Sequence, residues 1–155
     1  MVVRDGTVVQ NNSTGVEANF DGRVTIEGSS VIHNTEGVKG WSRSVLPSDP
    51  SIIIRGGSVV ADNLENGVNV GARNRLLVSS STIQSNGTDG IVCEGAVCDI
   101  GAGTGLGNTI AGHSSAGRYG IKCPNAGVAN CAAGENAFTD NATDVDPACA
   151  ATCAR

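Results

Sequence analysis

The sequence predicts an all-β chain wound as a single-stranded parallel β-helix, with about six coils of three short strands each and an asparagine ladder. Three observations carry this. A polar column, Asn12, Asn34, Asn63, Asn86 and Asn141 with His113 filling the one gap, recurs at spacings of 22, 29, 23, 27 and 28 residues. Three positions before each member stands an apolar residue: Val9, Val31, Val60, Ile83, Ile110 and Phe138. Downstream lies a second column of glycine plus apolar residue, Gly15-Val16, Gly37-Val38, Gly67-Val68, Gly90-Ile91 and Gly120-Ile121, with Asp144-Val145 in the last coil.

A third column precedes each ladder residue: Val24-Thr25-Ile26, Ile52-Ile53-Ile54, Leu76-Leu77-Val78 and Cys98-Asp99-Ile100. Each repeat therefore holds three strands separated by turns. Strands this short bury one face only and do not fold alone. Stacked coil on coil at about 4.8 Å, they form three parallel sheets around one apolar interior, a prism on the order of 25–30 Å long. Alternation, as in Val68-Asn69-Val70, sends the first and third side chains inward.

The ladder has a physical reason. A sharp inward bend leaves peptide groups without partners near the core, and an asparagine side chain offers both a donor and an acceptor. Asparagine also tolerates the left-handed backbone that such turns need. Asn12-Ser13-Thr14, Asn86-Gly87-Thr88 and Asn141-Ala142-Thr143 read as glycosylation sequons, yet each asparagine is a ladder position and is expected to carry no sugar.

Composition agrees with this architecture. The 155 residues suffice for one domain with its own core, and the aromatic share of 3% means that Val, Ile, Leu and Ala must fill it. Twenty-two glycines without a three-residue period exclude collagen. The net charge is −5 and the ten Lys and Arg are scattered, so no basic patch for nucleic acid is visible. No apolar run approaches the roughly 18 residues of a membrane span. Met1-Val2-Val3 opens directly into strand with no signal peptide, which reads as a piece of a longer protein. Residues 145–155 form a tail suited to capping the C-terminal end. The N-terminal end has no comparable cover, so missing coils or another chain are expected over it.

Six cysteines, Cys93, Cys98, Cys123, Cys131, Cys149 and Cys153, point to disulfides and an exported protein, secreted, periplasmic or at the cell surface. Their spacings do not match a zinc site. Sequential pairing is the favoured expectation: Cys93–Cys98, Cys123–Cys131 and Cys149–Cys153. The rival is a Cys93–Cys123 bridge between stacked coils, which distance alone permits. Asp146-Pro147 could start a short helix, in which a Cys149–Cys153 bridge would not close.

Where the copies disagree, function has room. An insertion from Lys39 to Pro50 carries Trp41 and Arg43, and its prolines forbid regular pairing. Trp41 either folds back over an adjacent coil or exposes a ring that could stack on a sugar or anchor a partner. Arg73 and Arg75 share one turn. The glycine-rich run from Gly101 to Gly107 fits a turn or bulge, and lacks the Lys-Ser/Thr of a phosphate loop. Lys39, Trp41, Arg43, Arg73 and Arg75 are the candidate binding residues.

The Val/Ile-x-x-Asn pattern followed by Gly-Val/Ile resembles the right-handed parallel β-helix repeat of the pectin-lyase-like superfamily, from about Val2 to Val145. That resemblance implies the fold, while the superfamily spans polysaccharide lyases and hydrolases, epimerases, tailspikes, copper-delivery proteins and bacterial surface proteins. Polysaccharide-cleaving members would place acids across adjacent coils, or an Arg with calcium-binding acids. The outward positions Glu17, Lys39, Asn69, Val92 and Lys122 supply no such cluster. One Met and two separated histidines do not make a copper site, so no metal or other cofactor is expected. The expectation is a non-catalytic extracellular module that binds a polysaccharide or a surface protein, or acts as a rigid spacer. The alternative is the C-terminal portion of a lyase or hydrolase whose catalytic coils lie upstream.

Overall fold

The computed structural model describes residues 1–41, 49–101, 106–131, 135–149 and 153. The chain repeats one three-strand coil. Coil one is β1 (Val2–Val3), β2 (Val8–Gln10) and β3 (Thr14–Ala18); coil two is β4 (Val24–Glu27), β5 (Ser30–Ile32) and β6 (Glu36–Gly40). Coil three is β7 (Ile52–Arg55), β8 (Val59–Ala61) and β9 (Val68–Val70); coil four is β10 (Arg75–Val78), β11 (Thr82–Gln84) and β12 (Ile91–Cys93). Coil five is β13 (Val97–Ile100), β14 (Thr109–Ala111) and β15 (Tyr119–Lys122); coil six is β16 (Val128–Cys131), β17 (Ala137–Thr139) and β18 (Thr143–Val145).

First strands pair only with first strands, second with second and third with third, giving three parallel six-stranded sheets. The six rungs make about five complete turns of a β-solenoid, because every pairing joins strands one coil apart. Strand β6 includes Lys39 and Gly40, so the insertion leaves the sheet only at Trp41. Residues 42–48, with Arg43, and residues 102–105 of the glycine-rich run lie outside the described residues.

The interior is aliphatic, as composition requires. Ile26, Ile54, Val78 and Ile100 stack in one register of the first sheet, and Val31, Val60, Ile83 and Ile110 in the second. Val38, Val68, Ile91 and Ile121 do so in the third, and all of these are fully buried. Like side chains lie one strand spacing apart, so branched aliphatics interlock without an aromatic filler.

The glycine column is explained by the same stacking. A Cβ on Gly67 would lie 2.6 Å from Asn86 Nδ2 and 2.8 Å from the Gly90 carbonyl oxygen. On Gly90 it would lie 2.5 Å from the Gly120 carbonyl and 2.9 Å from His113 Cε1. Each glycine thus gives the ladder side chain of the next coil its space.

Disulfide pairing departs from the expectation in two of three bridges. Cys93–Cys98 forms, clipping the corner between the third and first sheets. Cys123 bonds Cys149 and Cys131 bonds Cys153, in place of Cys123–Cys131, Cys149–Cys153 or Cys93–Cys123. Register gives the reason. Ala129, not Cys131, occupies the slot that Cys98 fills one coil earlier, while Cys131 stacks on Ile100. Cys123 and Cys131 are therefore closed by the tail that follows β18. Among the described residues of the tail there is no helix: Cys149 N–H donates to the Asp146 carbonyl and Ala148 N–H to Asp146 Oδ1, making a turn. The tail is thereby tied to coils five and six, at sequence separations of 26 and 22. Opening either of these bridges is expected to lower stability by about 3 kcal/mol through the enlarged unfolded ensemble. Urea titration of a Cys149→Ser/Cys123→Ser variant against the parent checks this.

Candidate functional site

The ladder is the first place to look for a site, and its chemistry is consumed by folding. Asn34 N–H and Nδ2 both donate to Asn63 Oδ1, at 2.9 and 3.2 Å. Asn63 repeats this toward Asn86 Oδ1, at 3.2 and 2.9 Å, and also donates to the Val31 carbonyl. Asn12 bonds Asn34 in the same way from the first coil, where it is exposed. The left-handed backbone belongs not to the ladder residues but to the residue before each: Asn11, His33, Asp62, Ser85, Gly112 and Asp140 all have positive φ. That corrects the assignment of backbone tolerance to the ladder asparagines. It also explains why His33 points into solvent.

His113 fits the ladder in one protonation state. Asn141 Oδ1 accepts from the His113 backbone N–H at 3.2 Å, so it is an acceptor for Nδ1–H at 2.9 Å as well. Asn86 Nδ2 donates to the Val60 carbonyl and faces His113 Nε2 at 3.4 Å, so Nε2 must be the bare acceptor. A protonated ring would set donor against donor. Burial lowers the His113 pKa below its usual 6.5, opposed by the Asn141 hydrogen bond and the nearby Asp89 charge. The unfolded chain then binds the proton more readily, so His113 contributes stability above about pH 6.5 that is lost as pH falls below it. Thermal unfolding between pH 8 and 5 is expected to show a steeper loss for the parent than for His113→Asn, which carries the same carboxylates. Parallel pH profiles would refute the assignment.

A second polar column lies at the corner between the first and second sheets. Ser81 N–H donates to Asn108 Oδ1 at 3.0 Å, Asn108 N–H to Asn136 Oδ1 at 3.1 Å, and Asn136 Nδ2 to the Ile100 carbonyl. Ser29 and Ser58 occupy the same place in earlier coils and are buried. The signal was present in the sequence, since each of these stands two residues before an inward Val, Ile or Phe.

What remains is the outer face of the third sheet. Glu17, Lys39, Asn69, Val92 and Lys122 lie in register across it. Residues preceding the glycine column add Glu36, Asn66, Asp89 and Tyr119 beside them. Glu36 is buried, with its side chain 5% exposed, and it pairs with Lys39 and accepts from Asn69 Nδ2 at 2.8 Å. Asp89 is equally buried, pairing with Lys122 at 3.0 Å and accepting from Tyr119 N–H at 2.9 Å. Between them Thr88 Oγ1 donates to Asn66 Oδ1 at 2.5 Å. Each lysine also sits over an aromatic ring, Lys39 Nζ 4.7 Å from the Trp41 centroid and Lys122 Nζ 5.6 Å from that of Tyr119. Carboxylate, lysine and aromatic thus recur as a unit at coils two and five, with Asp89 reaching over from coil four.

Trp41 is 48% exposed, so it presents its ring on this face and does not fold away beneath a neighbouring coil. Of the four candidate binding residues that are described, the structure brings Lys39 and Trp41 together. Arg73 takes a left-handed corner conformation next to Asn74, which is fully buried and donates to the Trp41 carbonyl at 2.7 Å. Arg75 lies on the outer face of the first sheet and pairs with Asp99 at 2.9 Å. Tyr119, Glu36 and Asp89 were not picked out from sequence. The signal for the carboxylates was their place immediately before Gly37 and Gly90; Lys39 is only three residues from Glu36, but nothing local indicates that Lys122 reaches back one coil to Asp89.

Among the described residues no group of three or more His, Cys, Asp or Glu side chains could hold a metal ion. No helix among them is long and apolar enough to cross a membrane. Compared with known proteins, the chain matches no family model, no curated protein and no solved structure. All six cysteines are paired, which is compatible with an oxidising, extracellular environment.

Proposed function

We propose that this chain is a non-catalytic extracellular module, related to the pectin-lyase-like β-helices, that binds a carbohydrate chain on the outer face of its third sheet. One observation carries the reading. Among the described residues the deep carboxylates of that face, Glu36 and Asp89, are each held by a lysine and a further hydrogen-bond donor, beside the exposed Trp41 ring and the half-buried Tyr119 ring respectively. General acid–base catalysis needs a carboxylate free to exchange a proton with substrate. Stacking and hydrogen bonding need only an aromatic surface flanked by fixed polar groups, and these are present.

The extracellular placement rests on the disulfides, and the superfamily on the repeat pattern. The alternative, a portion of a lyase or hydrolase, draws on Glu36 and Asp89 standing two coils apart, roughly 10 Å by strand spacing. Incubation with pectate, alginate, polygalacturonate and neutral glycans, followed by assay for new reducing ends and unsaturated products, tests the choice. Binding without product is the expected result. Turnover on any substrate, lost in Glu36→Gln or Asp89→Asn, would establish the enzyme instead.

A further inference from the structure

We infer that the glycan taken by this face is neutral, and that it lies along the solenoid axis between Trp41 and Tyr119; the inference rests on the carbohydrate-binding reading above. Charge decides the class. Both lysines among the outward positions are matched by buried carboxylates, Lys39 by Glu36 and Lys122 by Asp89. Glu17 of β3 adds a further acid on the same face, in register with Lys39. The chain as a whole carries −5. A polyuronate would bring a charge at every residue to a face whose two lysines are already neutralised and where, among the described residues, Glu17 and Glu65 outnumber Arg118, so like charges would oppose it.

Position decides the direction. Trp41 follows β6 in coil two and Tyr119 opens β15 in coil five, three spacings or about 14 Å apart along the axis and offset along the strand direction; Lys39 and Lys122, which are in register, draw both rings back toward one line. The side chains between them are Asn66, Asn69 and Thr88, all half-buried, and the exposed Glu65, with Val92 buried beneath them. The amides and the hydroxyl exchange hydrogen bonds with sugar hydroxyls without a charge requirement. The two rings, each propped by a lysine, give the ends of this strip their apolar platforms. A chain lying across the strands would meet only one ring.

Affinity electrophoresis of the full chain in native gels tests this, with galactomannan, xyloglucan or β-1,3-glucan in one set and polygalacturonate or alginate in another. The expected result is retardation by at least one neutral glycan, none by the uronates, and no weakening at about 0.5 M salt, where screening would remove a charge-driven interaction. Trp41→Ala and Tyr119→Ala should each weaken the retardation about tenfold, as for a central aromatic anchor, with unchanged circular dichroism. Equal or stronger retardation by a uronate would overturn the neutral assignment and leave carbohydrate binding standing. Retardation that survives both substitutions would overturn the placement on this strip. Absence of retardation in every gel would overturn the carbohydrate reading itself.

Discussion

Asn63→Ala is expected to destabilise the fold by on the order of 4 kcal/mol, among the largest effects open to a single polar truncation here. Its side chain accepts from the Asn34 backbone and amide and donates to the Val31 carbonyl and Asn86 Oδ1, all in the buried corner. Alanine removes these bonds and leaves their partners in a space that the neighbouring coils close to water. A buried donor or acceptor left without a partner costs about 1–3 kcal/mol, so several together outweigh the lost side-chain packing. The same substitution at Asn12, exposed in coil one, should cost about 1 kcal/mol or less, because water replaces what is lost. Urea titrations of the two variants decide the matter. Equal losses would show that burial does not amplify the ladder.

Gly67→Ala should cost at least about 3 kcal/mol, for a reason of space and not of backbone conformation. Its new methyl would meet Asn86 Nδ2 and the Gly90 carbonyl oxygen, and neither can yield. The amide is held by the ladder, and the carbonyl accepts from Val68 N–H at 2.9 Å in the sheet. Gly57→Ala provides the contrast. Gly57 has φ of 78° but nothing within 4 Å of an added Cβ, so only the left-handed backbone penalty applies, about 1 kcal/mol. Reversal of this order in thermal or urea unfolding would mean that the stack breathes enough to admit a methyl at Gly67.

The two columns were readable as a pattern because a solenoid repeats each environment once per coil. Val31, Val60, Ile83 and Ile110 face the same slot, and so the sequence writes the same kind of residue there. The function of Gly67 and its equivalents was not readable, since the obstacle to a side chain belongs to the next coil. The serine and asparagine corner column was missed for a different reason. Ser29, Ser58 and Ser81 change identity to Asn108 and Asn136 along the stack, so the column has no single residue type.

The candidate face divides along the same line. Trp41 and Lys39 were visible as departures from the repeat. Lys39 meets Glu36 within its own coil, three residues away, whereas the Asn69 bond to Glu36 and the pairing of Lys122 with Asp89 join coils across 33 residues. The sequence by itself determined the coil period, the aliphatic interior and the ladder, because these follow from residue type repeated at one spacing. Only the tertiary structure decided which cysteines meet and that Lys122 neutralises Asp89 of the preceding coil. Those outcomes depend on the slot each side chain occupies once the coils are stacked, and a displacement of two residues, as between Ala129 and Cys131, changes the partner.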